Sequence, residues 1–240
     1  RAPAGFARLN SSGRAGSVRG VSEDVLAVTS GPAQGVRDRP DPGPTVLRDC
    51  AEAEAYVATV CFKHGPPRLV GAELEWLLDS HRLPDGRPGA DALRAALGPH
   101  TPVSLDPRSP ALPLPGGSTV TVEPGGQVEL ASPPAASLSD LLATAAADAA
   151  VLHDRLAPPH GIVALPRAAD PALPPVRILD LPRYAAMEEA FDRHGPHGRT
   201  GMCSTAAVQV CLDAGEAADL PLRWHALHAL GPVLLGAFAN

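Results

Sequence analysis

The chain has 240 residues, enough for one large domain or a domain and a half. Its 20 Lys and Arg against 26 Asp and Glu give a formal charge of -6, which argues against a nucleic-acid partner held through phosphate contacts. No charge-free apolar stretch reaches about 18 residues and no leader pattern occurs, so a soluble, cytoplasmic protein with no membrane partner is expected. The cysteines, Cys50, Cys61, Cys203 and Cys211, form no C-x-x-C pair and read as free thiols. Aromatic residues make up only 3% of the chain, so Phe62, Trp76, Tyr184, Phe191 and Trp224 should carry a large share of the packing.

Residues 1–44 are rich in Arg, Gly, Ser and Pro and predict a disordered segment, with the domain proper over 45–240. The first firm element is a helix opening at Asp49, with Glu52 completing a capping box and Gly65 stopping it before Pro66 and Pro67. Tyr56, Val57, Val60 and Cys61 form its expected core stripe.

Arg68 to Leu78 alternates with a period of two. Val70, Ala72, Leu74, Trp76 and Leu78 form a wholly apolar face, while Leu69, Gly71, Glu73, Glu75 and Leu77 form the other. The two glutamates lie about 7 Å apart along a strand, and like charges so placed repel unless screened. A short helix is expected over Asp91–Leu97, then an irregular Pro-rich connection from Pro99 to Pro115.

Ser118–Glu123 and Gln127–Ala131 read as strands around Pro124-Gly-Gly126, a turn, bulge or close backbone approach. Gln127 and Glu129 share one face, Val128 and Leu130 the other. Ser137 caps an Ala-rich helix expected to reach about Leu156, before Pro158 and Pro159. Pro166–Pro182 reads as another Pro-rich connection. Arg183–Arg193 reads as a helix with Tyr184, Met187 and Phe191 on one stripe and Gly195 as its stop. Met202–Asp213 reads as a third strand, with Ser204, Ala206, Val208, Val210 and Leu212 on its apolar side. Three strands with apolar backs and polar fronts, separated by helices, predict a sheet with helices on one face and a site on the other.

Hard cations need several oxygen ligands from converging elements, and Glu73, Glu75 and Glu129 offer three carboxylates from two strands. Such ions bridge nucleotide phosphates in phosphoryl transfer, although no G-x-x-x-x-G-K-[ST] loop is present. His194 and His197 sit in a Gly- and Pro-broken stretch and read as a solvated loop. His225 and His228 read as packing and solvent. Cys203 lacks a His/Asn partner signature, so no protein nucleophile is assigned.

Val-Gly-Ala-Glu73-Leu-Glu75, Glu123-Pro-Gly-Gly-Gln127-Val-Glu129-Leu, Arg183-Tyr184-Ala-Ala-Met187 and Met202-Cys-Ser-Thr205-Ala-Ala-Val-Gln209-Val-Cys-Leu-Asp213 occur in this order. Together they resemble the glutamate–cysteine ligase family of plants and many bacteria, and within it the bacterial ergothioneine-pathway class. The resemblance covers roughly 45–240 and implies an α+β, glutamine-synthetase-like fold whose antiparallel sheet floors the site. It implies ATP-dependent joining of L-glutamate to L-cysteine through a γ-glutamyl phosphate. Glu73, Glu75 and Glu129 would then be Mg²⁺ ligands. Gln127, Arg183, Tyr184, Thr205 and Gln209 would make substrate or structural contacts. Gly201 replaces a Met common in the family, and Cys211 an Asn usual in plant-type members. The alternatives are a non-catalytic ligase module and a ligase using another amine. Because the family continues well past the strongly apolar run Leu227–Phe238, a fragment of a longer protein is expected. Oligomeric state is not legible in the sequence.

Overall fold

The computed structural model describes residues 46–83, 86–170 and 174–239. The segment 1–44, expected to be disordered, lies outside these residues. The chain divides into two compact units, Arg1–Glu54 and Ala55–Asn240. Of the first unit, the described part carries the start of helix α1 (Cys50–Cys61). Glu52 N donates to Asp49 Oδ1 at 2.8 Å, as the capping box requires. The returning bond runs from Arg48 N to Glu52 Oε2 at 2.8 Å, one residue earlier than the simple box.

The second unit is built on an antiparallel sheet, giving an α+β fold with five strands and six α-helices among the described residues. Strand β1 (Val70–Ser80) is its centre. Around it lie β2 (Thr119–Val122), β3 (Val128–Ala131), β4 (Ile162–Leu165) and β5 (Val208–Leu212). The sheet order is β2-β3-β1-β4, with β5 also paired to β1. Glu73 and Leu74 pair with both β3 and β5, so those two strands flank β1 on opposite edges.

The apolar back of β1–β3 is covered as predicted. Trp76 and Leu78 from β1, Val120 and Val122 from β2, and Val128 and Leu130 from β3 pack with Leu93, Ala96 and Leu97 of helix α2 (Ala90–Leu97). Leu152 and Leu156 of helix α3 (Leu138–His160) close the same core. Ser137 caps α3 by accepting from Asp140 N. Asp148 in α3 is buried and accepts from Gly116 N at 2.7 Å and Ser118 N at 3.0 Å, tying the turn before β2 to the covering helix.

Several expectations are corrected. No residue of α1 is buried, so Tyr56, Val57, Val60 and Cys61 are not a core stripe. Helix α3 runs through the two prolines to His160 and closes on Gly161 in a left-handed conformation (φ 68). Strand β4, missing from the sequence reading, is a four-residue apolar run between Gly161 and Pro166, too short to show a period. Met202 and Cys203 belong to helix α5 (His197–Cys203), not to a strand, so the third strand is only Val208–Leu212. The expected apolar back of that strand is bare: Val208 is 72% and Val210 70% exposed. No described helix backs β5 as α2 and α3 back β1–β3.

Helix α4 (Pro182–Asp192) matches its predicted range within one residue, with Pro182 in its first turn. Helices do not keep to one face, because the end of α5 rests against the Pro-Gly-Gly turn on the front: a Cβ at Gly125 would lie 2.1 Å from Cys203 O. The apolar C-terminal run forms helix α6 (Leu220–Phe238), in which no residue is buried. None of the described helices is long and apolar enough to cross a membrane.

Candidate functional site

Directly opposed residues of an antiparallel pair share a face. Glu75 lies opposite Glu129, and Glu129 opposite Thr121. One pairing away, Glu73 lies opposite Ala131 on one side and Gln209 on the other. The front of the sheet therefore carries Glu73, Glu75, Glu129, Thr121, Gln209 and Cys211 together. At the far end of β1 this front closes, because Leu77 is buried beside Arg87, Gly125, Gln127 and Cys203 around a cavity of about 10 Å³. Toward the start of β1 it opens into a cleft of about 220 Å³ that includes Glu73, Ser132 and Cys211.

The carboxylates are individually oriented. Glu129 Oε1 accepts from Thr121 Oγ1 at 2.7 Å. Glu75 Oε2 accepts from Ala207 N and Oε1 from Gln209 Nε2, each at 2.9 Å. Burial is the main cause that pushes the Glu75 carboxyl above its ordinary range. The Ala207 N–H pulls it back, the Glu129 charge pushes it up, and the Gln209 amide pulls it back again. Glu73 is also raised, by burial and then by Glu129.

A fourth carboxylate joins them. Glu123, at the mouth of the Pro-Gly-Gly turn, is raised by burial, then by Glu129 and Glu75, and is relieved in part by Arg183. Strand alternation alone assigns Glu123 to a strand end, and its place before Pro-Gly-Gly is the signal that marks it out. Tyr184 is raised by burial and then by Glu123, and the Arg183 guanidinium lies 5.7 Å from its ring centroid.

The predicted site residues divide into two groups. Glu73, Glu75, Glu129 and Gln209 share the open front, and Arg183 and Tyr184 border it through Glu123. Gln127 and Thr205 are spent on backbone contacts instead. Gln127 is buried and its Nε2 donates to Met202 O and Thr205 O. Thr205 Oγ1 donates to Gly201 O at 2.6 Å, closing the end of α5.

Cys203 is buried, and burial followed by Glu188 pushes its thiol up, against the pull of Arg87, Arg177 and Arg199. A thiol held protonated is a poor nucleophile. His194, His197, His225 and His228 are exposed, and His197 opens α5.

Mg²⁺ keeps several of its waters and is commonly held by one or two carboxylates together with substrate phosphates. Glu75 and Glu129 suit that role, since they face each other across one strand pairing. Among the described residues no three His, Cys, Asp or Glu side chains converge as a metal site. The fold thus brings Glu75 and Glu129 together and leaves Glu73 one pairing away.

Comparisons with known proteins bear on this face. The model of glutamate–cysteine ligase family 2 matches residues 69–240. "Glutamate–cysteine ligase EgtA" of Mycobacterium tuberculosis is 37% identical over 219 residues, covering 90% of this chain and 47% of that protein. The protein of the same name from Mycolicibacterium smegmatis is 36% identical over 200 residues, covering 82% of this chain and 44% of that protein. The chain therefore spans about half the length of the curated relatives it matches.

Proposed function

The chain belongs to glutamate–cysteine ligase family 2, and on that premise we propose that the protein joins L-glutamate to L-cysteine using ATP and Mg²⁺. The supporting observation is the cross-strand Glu75–Glu129 pair on the front of the sheet, where burial and the Glu129 charge raise the Glu75 carboxyl. The reading includes a glutamine-synthetase-like continuation of the sheet, a cytoplasmic setting and service to ergothioneine or a related small thiol.

The chemistry follows from charge. A γ-carboxylate and a triphosphate are both anionic and repel. Mg²⁺ supplies the positive charge that lets them meet and that neutralises the transferring phosphoryl group. In this reading Glu75 and Glu129 would hold the cation, with Glu73 as a further candidate ligand on the same face. Ala207 N and Gln209 Nε2 keep the Glu75 carboxylate from collapsing onto other donors. Arg183, stacked on Tyr184 beside Glu123, offers the substrate side of the face a positive group.

The γ-carboxylate oxygen of glutamate attacks the terminal phosphorus of ATP, and ADP leaves. The amine of cysteine then attacks the acyl carbon, phosphate departs, and the amine proton passes to solvent or product phosphate. No protein nucleophile is needed, which agrees with the protonated, buried Cys203.

A coupled ADP-release assay on the full-length protein, with glutamate and cysteine supplied, tests this. Cysteine-dependent ADP release is expected, and its absence sinks the reading. One second reading is a non-catalytic ligase module. Tight Mg·ATP binding by calorimetry without turnover identifies it. An amine panel identifies a ligase that uses a different acceptor.

A further inference from the structure

Gln127 is 4% exposed and lies on the front of the sheet beside the buried Leu77. Its Nε2 donates to Thr205 O at 2.8 Å and to Met202 O at 3.3 Å. Its Oε1 is buried with no hydrogen-bond partner among the described residues. A buried, unsatisfied acceptor costs stability, so this amide serves through its donor end. Two residues earlier the chain passes so close to Cys203 that only glycine fits at Gly125. The Pro-Gly-Gly turn and the segment leading into β5 are thus clamped together.

That segment holds Glu75. Glu75 N donates to Ala207 O at 3.0 Å, and Ala207 N returns a bond to Glu75 Oε2. Gln209, two residues on, holds Glu75 Oε1. Both carboxylate oxygens therefore depend on where the chain lies just after Thr205.

We propose that Gln127 is a positioning residue: through the carbonyls of Met202 and Thr205 it fixes the entry to β5, and through Ala207 and Gln209 it aims the Glu75 carboxylate toward Glu129 for a divalent cation. Its amide hydrogens go to backbone carbonyls. The inference rests on the proposed Mg²⁺-dependent function and assigns Gln127 a task within it. An apolar side chain would leave the buried Met202 carbonyl and the part-buried Thr205 carbonyl without this donor, and a carboxylate would repel them.

The test uses the full-length protein and reads Mn²⁺ affinity from the electron paramagnetic resonance of free Mn²⁺, alongside turnover. Two variants are compared with wild type: Gln127→Met, which keeps volume but removes both donors, and Ala207→Pro, which removes one N–H from Glu75 at an exposed position. Outer contacts of this kind change metal affinity by about 10- to 100-fold, so both should bind Mn²⁺ at least about tenfold more weakly. A merely structural role would lower the melting temperature and leave Mn²⁺ affinity intact.

Unchanged affinity in folded Gln127→Met overturns the inference. If that variant does not fold, unchanged affinity in Ala207→Pro overturns it. Weaker Mn²⁺ binding in the variants, with no ligase turnover even in wild type, overturns the proposed reaction and supports the positioning role. A wild type that binds no Mn²⁺ overturns both.

Discussion

Leu74 has two cross-strand partners, Leu130 on one side and Val208 on the other. Leu130 is completely buried, whereas Val208 is 72% exposed. Both strands are antiparallel to β1 and both carry apolar residues at alternate positions. The difference is the layer behind them: α2 and α3 close over β1–β3, and no described helix lies behind β5. Pairing therefore decides where a side chain points, but a second layer decides whether it is removed from water.

The largest expected effect is on the covered side. Leu130→Ala should cost about 3 kcal/mol of unfolding free energy, within the range for truncating a fully buried leucine. Urea denaturation measures it, and a loss under 1 kcal/mol would mean that the back layer is not packed as described.

On the front the same strands should behave in the opposite way. Glu75→Gln in the full-length protein should lower kcat/KM about 100-fold, an effect of about 2.7 kcal/mol on the barrier. Its melting temperature should hold or rise, because one member of a repelling pair is neutralised. Glu73→Gln should follow with a smaller loss. Retained turnover with a large drop in melting temperature would place these side chains in the core instead.

A pH series gives a smaller, signed effect. Glu73, Glu75 and Glu123 are raised in the folded state. The native protein thus holds more protons than the unfolded chain once the pH passes the ordinary carboxyl value. These groups accordingly subtract stability as pH rises from there through their raised folded values, and the penalty persists above. Mg²⁺ offsets it, so the rise in melting temperature on adding Mg²⁺ should be larger at pH 8 than at pH 5. Equal rises at both pH values would remove Glu73 and Glu75 as its ligands.

The smallest effect belongs to the bare strand. Val210→Ala in the 240-residue chain should change stability by less than about 0.5 kcal/mol, as for other exposed positions. A core-sized loss would show that the back of β5 is covered after all.

Much of the fold was legible where pattern and punctuation agreed. Ser137 and Asp140 marked the start of α3, Pro182 and Gly195 bracketed α4, and Pro-Gly-Gly joined two strands whose alternation matched their burial. Legibility failed where an element was shorter than its own period. β4 is four residues between Gly161 and Pro166, and Met202-Cys203 looked extended only because an alternating run follows. The exposed stripe of α1 shows the reverse error, in which pattern promised burial and no partner layer supplied it.

The sequence by itself determined that Glu73 and Glu75 share a strand face, since side chains alternate whatever the strand pairs with. It also ordered the motifs that identify the family. Only the tertiary structure decided that Glu75 meets Glu129 across one pairing while Glu73 does not, because register depends on strands far apart in the chain. It likewise added Glu123 to the acidic front and turned Gln127 inward. Which atom ends up beside which is a property of packing between segments, and no local pattern encodes it.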